Sequence, residues 1–409
     1  MLDERLVDLL VERFVNRIEA VNTYVLEEIA KNIKQIRGLT ASNSYQLQQT
    51  LKYGGNYENI VAQLSKITNL NVNEIEEVFE EVAKNDYAFA KQFYDFKGVN
   101  YVPYEENTAL KKQVQALANI TKNTMSNFSR SNALGYSIRN LDGKIEFVGL
   151  RETYNRVIDE AVLSVSQGKE TFDTAMTRII KDLGKSGIKT VEYGDRSIRL
   201  DSMVRQHLKG ALRNLHNETQ NLIGQEFGAD GVEISVHINP APDHAEVQGR
   251  QFSKEEFEKF QNDQDAVDYT GKLFPAEHEG HDRRSISEYN CYHYTFDIVL
   301  GVSKPQYSTE QLKQIIDNNN KGFELDGDHY TNYEGTQMQR QLETEIRKQK
   351  DIQIMAKASG NKELVEEAQS NISQLSKKYK QLSEASGLPT QAERLKVSGY
   401  KRISIAKMN

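Results

Sequence analysis

The sequence has no tryptophan, one cysteine and six prolines in 409 residues. A single thiol allows no internal disulfide, which fits a reducing compartment. So few prolines leave long stretches free to be helical. No apolar run approaches the ~20 residues of a membrane-spanning helix, so no membrane partner is expected. The opening MLDERLVDLLVERF is charged from its third residue and reads as having no signal-peptide core. Also lacking are a Walker phosphate loop and the Rossmann glycine pattern. A large excess of one charge is missing too: 52 basic and 59 acidic residues leave a net charge of −7. Proteins that coat duplex DNA are usually strongly basic, so any nucleic-acid contact here would be local.

What is present is polar and periodic. Apolar residues make up 38% of the chain and charged residues 27%, with mean hydropathy −0.67. That is wetter than an average compact domain and favours long helices with much exposed surface. Residues 3–36 read as one amphipathic helix, because Leu6, Leu10, Phe14, Val21, Val25, Ile29, Ile33 and Ile36 recur at helical steps, with one slip at Ile18. "RGLTASN" (37–43) breaks it. Shorter helices are expected near 44–53 and 57–67, and Asn73 with Glu76 reads as the capped start of another, to about residue 96. After a loop at 97–107, helices are expected over 108–139. The aromatics from Tyr87 to Tyr104 read as helix-packing residues. Two further helices are expected over 150–183.

The pattern then changes. "IKTVEYGDRSIRLD" (188–201) alternates on either side of Gly-Asp and predicts a hairpin. A helix follows from Ser202 to about Phe227. "GVEISVHI" (231–238) and "YNCYHYTFDIV" (289–299) predict strands. Beyond them, Thr331 and Glu334 form a capping-box pattern opening a helix to about Ser359. Val365, Ala368, Ile372, Leu375, Tyr379 and Leu382 then form a heptad seam. The Gly360–Asn361 break between these two helices predicts an antiparallel hairpin, and "SGLP" (386–389) ends it. The expected class is α+β: a helical N-terminal region (1–148), helices leading into a small α+β core (149–305), and a helical hairpin with a basic tail (306–409).

Chemistry-bearing residues concentrate in two places. The stretch "HINPAPDH" carries His237 and His244, "GHD" carries His281, and "NCYH" carries Cys291 and His293. These are zinc-ligand types. However, there is no Cys-x-x-Cys or His-Glu-x-x-His knuckle, and a buried Cys with histidines bonded to loop backbone is the favoured reading, ahead of a metal site and of catalysis. The second place is basic. Arg205, Lys209, Arg213 and His216 form one stripe on the helix after Arg196 and Arg199. The tail carries Arg394, Lys396, Lys401, Arg402 and Lys407 with no acid after Arg394. Stripe and tail suit phosphates or an acidic partner, or a solvated face. Asp263, Asp265 and Asp268 sit in a polar stretch and read as loop.

Four blocks, in order, resemble the phage minor capsid protein 2 family and, more distantly, the Mu-type head-morphogenesis proteins. They are "TVEYGDRSIRLDSMVRQHLKGALRN", "GVEISVHINPAPDHAEVQG", "YNCYHYTFDIVLGVS", and "YTNYEGTQMQRQLETEIRKQK" through "GLPTQAERLKV". They cover about residues 150 to 400. The chain departs from the family pattern at Val247, where an aromatic is usual, and at Tyr292, where an arginine is usual. The resemblance implies a structural virion protein, not an enzyme, assembled in the bacterial cytoplasm and lying in the head near the portal vertex. It implies the portal protein as partner, with the major capsid protein and packaged double-stranded DNA as further candidates, and no cofactor or metal. On this reading His237, Asp243, His244, Gln248, Gly249, Asn290, Cys291 and His293 are a structural polar core. Arg196, Arg199, Arg205, Lys209, Arg213 and the tail cations contact DNA or portal. The alternatives are a metal-dependent hydrolase or nuclease using the His/Cys set, and an assembly scaffold absent from mature virions.

Overall fold

A computed structural model describes residues 4–35, 56–128, 133–139, 144–166, 171–191, 197–278, 281–282, 284–288 and 291–403. The N-terminal periodicity becomes helix α1, Glu4–Lys34. It buries more than one stripe: Val7, Val11, Val15 and Ile18 lie inside along with Phe14, Val21, Val25 and Ile29. Ile18, the apparent slip, is a core residue. A helix buried on so broad a face sits in the middle of a protein. Accordingly α1 packs against the helices formed by residues 56–97, 200–227 and 332–359.

Helix α2, Asn56–Lys97, is continuous through Asn73. The expected break there is corrected, because Ile75, Val78, Phe79 and Val82 bury on the same core and outweigh the weak capping signal. The region expected to be helical near 44–53 lies outside the described residues. Tyr87, Tyr94 and Tyr101 pack ring against ring, and Tyr94 meets Phe227 at 4.7 Å between centroids. Helix α3, Thr108–Phe128, ends earlier than expected. Residues 134–139 are a strand, not helix. Here β1 (Leu134–Arg139) pairs with β2 (Ile145–Gly149) as an antiparallel hairpin. A side chain at Gly135 would strike the Val148 carbonyl, so the close pairing requires glycine there.

Helices α4 (Leu150–Ser166) and α5 (Phe172–Ser186) follow. The predicted hairpin forms as β3 (Lys189–Val191) and β4 (Ser197–Arg199), joining the first hairpin in an antiparallel sheet of order β2-β1-β3-β4. Helix α6, Leu200–Phe227, ends at Gly228 in the left-handed conformation.

A second sheet, with strands β5 (Gly231–Ile234), β6 (Gln251–Ser253) and β7 (Thr295–Ile298), has the order β7-β5-β6. Between its strands run the one-turn helix α7 (Pro242–Ala245), helix α8 (Lys254–Gln261) and, among the described residues, two short ladders of two-residue strands. This lobe has its own small core: Ile234, Val247, Phe252, Phe260, Ala266, Phe274, Ile286 and Cys291.

Helix α9 (Thr309–Lys321) and the hairpin β8 (Phe323–Leu325)–β9 (Asp328–Tyr330) lead to α10 (Asn332–Ser359). The Thr331–Glu334 capping box has both of its hydrogen bonds. Gly360 in the left-handed region and Asn361 as N-cap turn the chain into α11, Lys362–Ser386. Of the expected seam, Val365, Ala368, Ile372, Tyr379 and Leu382 are buried and Leu375 is half-buried. One large apolar core runs from Val7 to Ala368, so α10 and α11 share it with the N-terminal helices. The segment after α11 folds back: Thr23 Oγ1 donates to the Ser398 carbonyl at 2.8 Å, and Ile403 N donates to Gln369 Oε1 at 3.0 Å. No described helix is long and apolar enough to cross a membrane.

Candidate functional site

The chain leaves β5 through His237 and two prolines. Pro242, at the first turn of α7, sets the backbone for a single helical turn that carries Asp243 and His244. Gly249, with φ +68°, then turns the chain back so that its N–H donates to the Ile234 carbonyl at 2.9 Å. A Cβ at Gly249 would lie 2.5 Å from Leu312 Cδ2 and 2.9 Å from Val236 Cγ2. Gln248 closes the loop by pairing with the backbone of His237: its Oε1 accepts from N–H at 2.8 Å and its Nε2 donates to the carbonyl at 3.2 Å.

Into this loop come Cys291 and His293. Cys291 Sγ and His293 Nδ1 are 3.5 Å apart, and His293 Nε2 lies 3.2 Å from Gln248 Oε1. His244 Nε2 lies 2.8 Å from the Arg284 carbonyl. Cys291, His244 and His293 are all buried. The rings of His237 and His293 are 4.4 Å apart, those of His244 and His293 5.2 Å. The structure therefore gathers His237, His244, Gln248, Cys291 and His293. Asp243 stands beside them in a two-pronged pair with Arg284, at 2.6 and 2.7 Å. Asn290 lies outside the described residues. For His281 only a two-residue ladder with His278 is described.

Electrostatics sort the three inner groups. Burial pushes the His293 pKa down to about 2, with His237, His244, Arg284 and Arg213 adding to it, so this ring is neutral. Burial alone would lower His244 and raise Cys291. The bond and charge between the two outweigh it, leaving His244 above and Cys291 below its ordinary value. A helix-borne group holds the cysteine loop. Arg213 of α6 donates to the Ser287 carbonyl at 2.5 Å and to the Cys291 carbonyl.

The basic stripe lies mostly inside, which corrects the expectation that α6 presents it to a partner. Arg205 is buried in a two-pronged pair with Glu12, at 2.6 and 3.0 Å. Arg213 is buried on the two carbonyls just named. Lys209 pairs with Asp8 and lies over the Tyr292 ring. His216 is buried at 2.7 Å from Asp86. Arg199 is buried among Asp201 (3.0 Å), Asp351 (3.2 Å) and Glu19 (3.4 Å), and Arg347 reaches Asp201 at 3.4 Å. Of the tail cations, Arg394 is half-buried and burial lowers its pKa to about 10. Lys396 pairs with Glu393, while Lys401 and Arg402 are exposed. Arg196 and Lys407 lie outside the described residues. Asp263, Asp265 and Asp268 do form loop: Asp268 Oδ1 accepts from Thr270 N and Lys272 N, and Asp265 Oδ1 from Ala276 N.

Sequence reading missed the partners. Glu12 and Glu19 had a signal, since they interrupt the apolar face of α1 seven residues apart. Arg284 and Asp351 had none, because their partners are 41 and 152 residues away.

The arrangement is an interlocked helical body with buried ion pairs, joined to a small lobe closed by a polar core. The family model of phage minor capsid protein 2 matches residues 2–383, and the chain belongs to that family. It is thus a structural capsid component of a bacteriophage virion. Comparison with curated proteins and with solved structures gives no match.

Proposed function

We propose that the protein sits in the phage head at the portal vertex, as a rigid low-copy element between portal and packaged DNA. The observation that carries this reading is that the strongest charged groups are engaged within the fold. Arg199, Arg205 and Arg213 hold helices and loops of this chain together. Such a pattern suits a building block, and it leaves contact to the surface. Among the described residues, the exposed cations of the expected set are Lys396, Lys401 and Arg402, on the segment that docks back over α1 and α11. Portal protein is the first partner on this reading, with the major capsid protein and DNA reached from the same end. Long helices with exposed polar faces supply the lateral contacts.

Quantitative mass spectrometry of purified virions, before and after triggered DNA release, tests it. A few copies per full particle, retained after emptying, is the expected result. Loss on emptying would replace the portal-bound position by an ejected, DNA-associated one. Absence from full virions, with presence in procapsids, would overturn the reading in favour of an assembly scaffold.

A further inference from the structure

We propose that His244, Cys291 and His293 bind a zinc ion that staples the small lobe, with His237 as the fourth ligand. This goes beyond the virion role and does not depend on it.

The first support is distance. Ligand atoms bound at 2.0–2.3 Å on a tetrahedral ion lie about 3.3–3.6 Å from one another. Cys291 Sγ and His293 Nδ1 are 3.5 Å apart, and one ligand atom from each of the three residues lies within 4.8 Å of the others. The cluster therefore needs shifts of about an ångström or less to close on an ion, which ordinary rotamer adjustment supplies.

The second support is orientation. A metal-bound histidine commonly donates its other ring N–H to a carbonyl or carboxamide oxygen, which fixes the tautomer and aims the ligand nitrogen. Both histidines have that arrangement. His244 Nε2 faces the Arg284 carbonyl and His293 Nε2 faces Gln248 Oε1. Each ring then has Nδ1 left as its lone-pair nitrogen, and His293 Nδ1 is the atom turned toward the thiol. The oxygens are themselves held in place: Gln248 by the backbone of His237, and the Arg284 residue by Asp243. The donor set of one thiolate and imidazoles selects zinc over the hard cations magnesium and calcium.

The third support is need. The lobe spans residues 231–303 with strands of two to four residues and, among the described residues, a core cluster of eight buried apolar side chains. Small lobes with so little apolar core commonly require a staple, and the chain has no second cysteine for a disulfide. An ion on these ligands would join the loop after β5 to the segment before β7, the two ends of the lobe's polar core. His237 is the nearest fourth donor, its ring 4.4 Å from that of His293. All three primary ligands are buried, which fits a closed structural site rather than one open to substrate.

The test uses the untagged, full-length protein. Metal content is measured by elemental analysis as purified. The protein is then stripped with chelator and titrated with Co(II). The expected result is one zinc per chain and, on titration, a tetrahedral Co(II) spectrum with a thiolate-to-metal charge-transfer band. With one cysteine in the chain, that band reports Cys291 alone. Cys291→Ser removes the band, and His244→Ala lowers the affinity at least about 100-fold, more than loss of an outer partner would. Folded wild-type protein that carries no zinc and takes up no Co(II) overturns the proposal. So does a Co(II) spectrum without the thiolate band. Both of these measurements are made on the wild-type chain, so they stand even where a variant fails to fold.

Discussion

The helical body and the small lobe solve the same problem with opposite means. In the body, α1, α6 and α10 meet across a core that runs through most of the chain, and the charges at their crossing are fully buried. In the lobe, a core cluster of eight apolar side chains among the described residues supports short strands, and the His/Cys/Gln cluster with the Asp243–Arg284 pair does the joining. A large core can carry the desolvation of Arg199, Glu19, Asp201 and Asp351, whereas the small lobe keeps its Asp243–Arg284 pair half-buried. The difference shows how each region should fail.

The largest effect is expected at the body's ion cluster. Arg199→Met takes away the cation that all three buried carboxylates share, and removing one partner of a buried set costs about 3–5 kcal/mol. Urea unfolding followed by circular dichroism measures it. A loss below about 1 kcal/mol would mean that the cluster does not hold the helices together. In the lobe, Gly249→Ala is expected to cost about 1–3 kcal/mol, because it places a Cβ at positive φ against Leu312 and Val236. Limited proteolysis should then cut within 231–303 before it cuts α1 or α10. Simultaneous cleavage of both regions would erase the distinction between them.

The pH dependence should also separate the regions. Glu19, Asp201 and Asp351 crowd three acidic groups around Arg199, with Arg347, Arg205 and Lys350 also near, and repulsion among the carboxyls favours holding a proton. Burial and neighbouring Asp201 push Glu19 up to about 8, and burial raises Asp351 to about 6. Burial opposes ionisation of Asp201 too, but Arg199 and Arg347 outweigh it and hold Asp201 below the usual carboxylate range. A raised carboxylate pKa means that the folded state keeps a proton the unfolded chain gives up. That stability is full below about pH 4.5 and is lost as pH rises through 8. The melting temperature should therefore fall between about pH 5 and pH 8, and Glu19→Gln should flatten the slope. An unchanged slope in Glu19→Gln would place the proton elsewhere. The smallest effect concerns the surface. Lys401→Glu with Arg402→Glu should change stability by less than about 0.5 kcal/mol. If these residues touch DNA, the pair should lower the salt slope of DNA binding by roughly 2. An unaltered slope would remove DNA from the partners of this segment.

How much of this is legible depends on the range of the interaction. The capping box at Thr331–Glu334, the glycine stop at Gly360 and the seam from Val365 to Leu382 are signals carried by near neighbours in sequence, and the structure contains each of them. The hairpin at 134–149 is not legible as one, because the helical pattern runs on past Phe128, although Gly135 stands in its path. The apparent helix break at Asn73 misleads because a local cap says nothing of the core that Ile75 and Phe79 reach.

The sequence by itself determined the periodic elements, the α+β class and the family, through the order and spacing of four blocks. Only the tertiary structure decided what the charged and metal-ligand residues do. A stripe of arginines reads the same whether it faces water or Glu12, and histidines at 237, 244 and 293 read the same whether scattered or gathered. Helical and strand periods depend on neighbours along the chain. The partners of Arg199, Arg205 and Cys291 lie far away in sequence, and burial, which sets their charge and their cost, exists only once the chain has closed on itself.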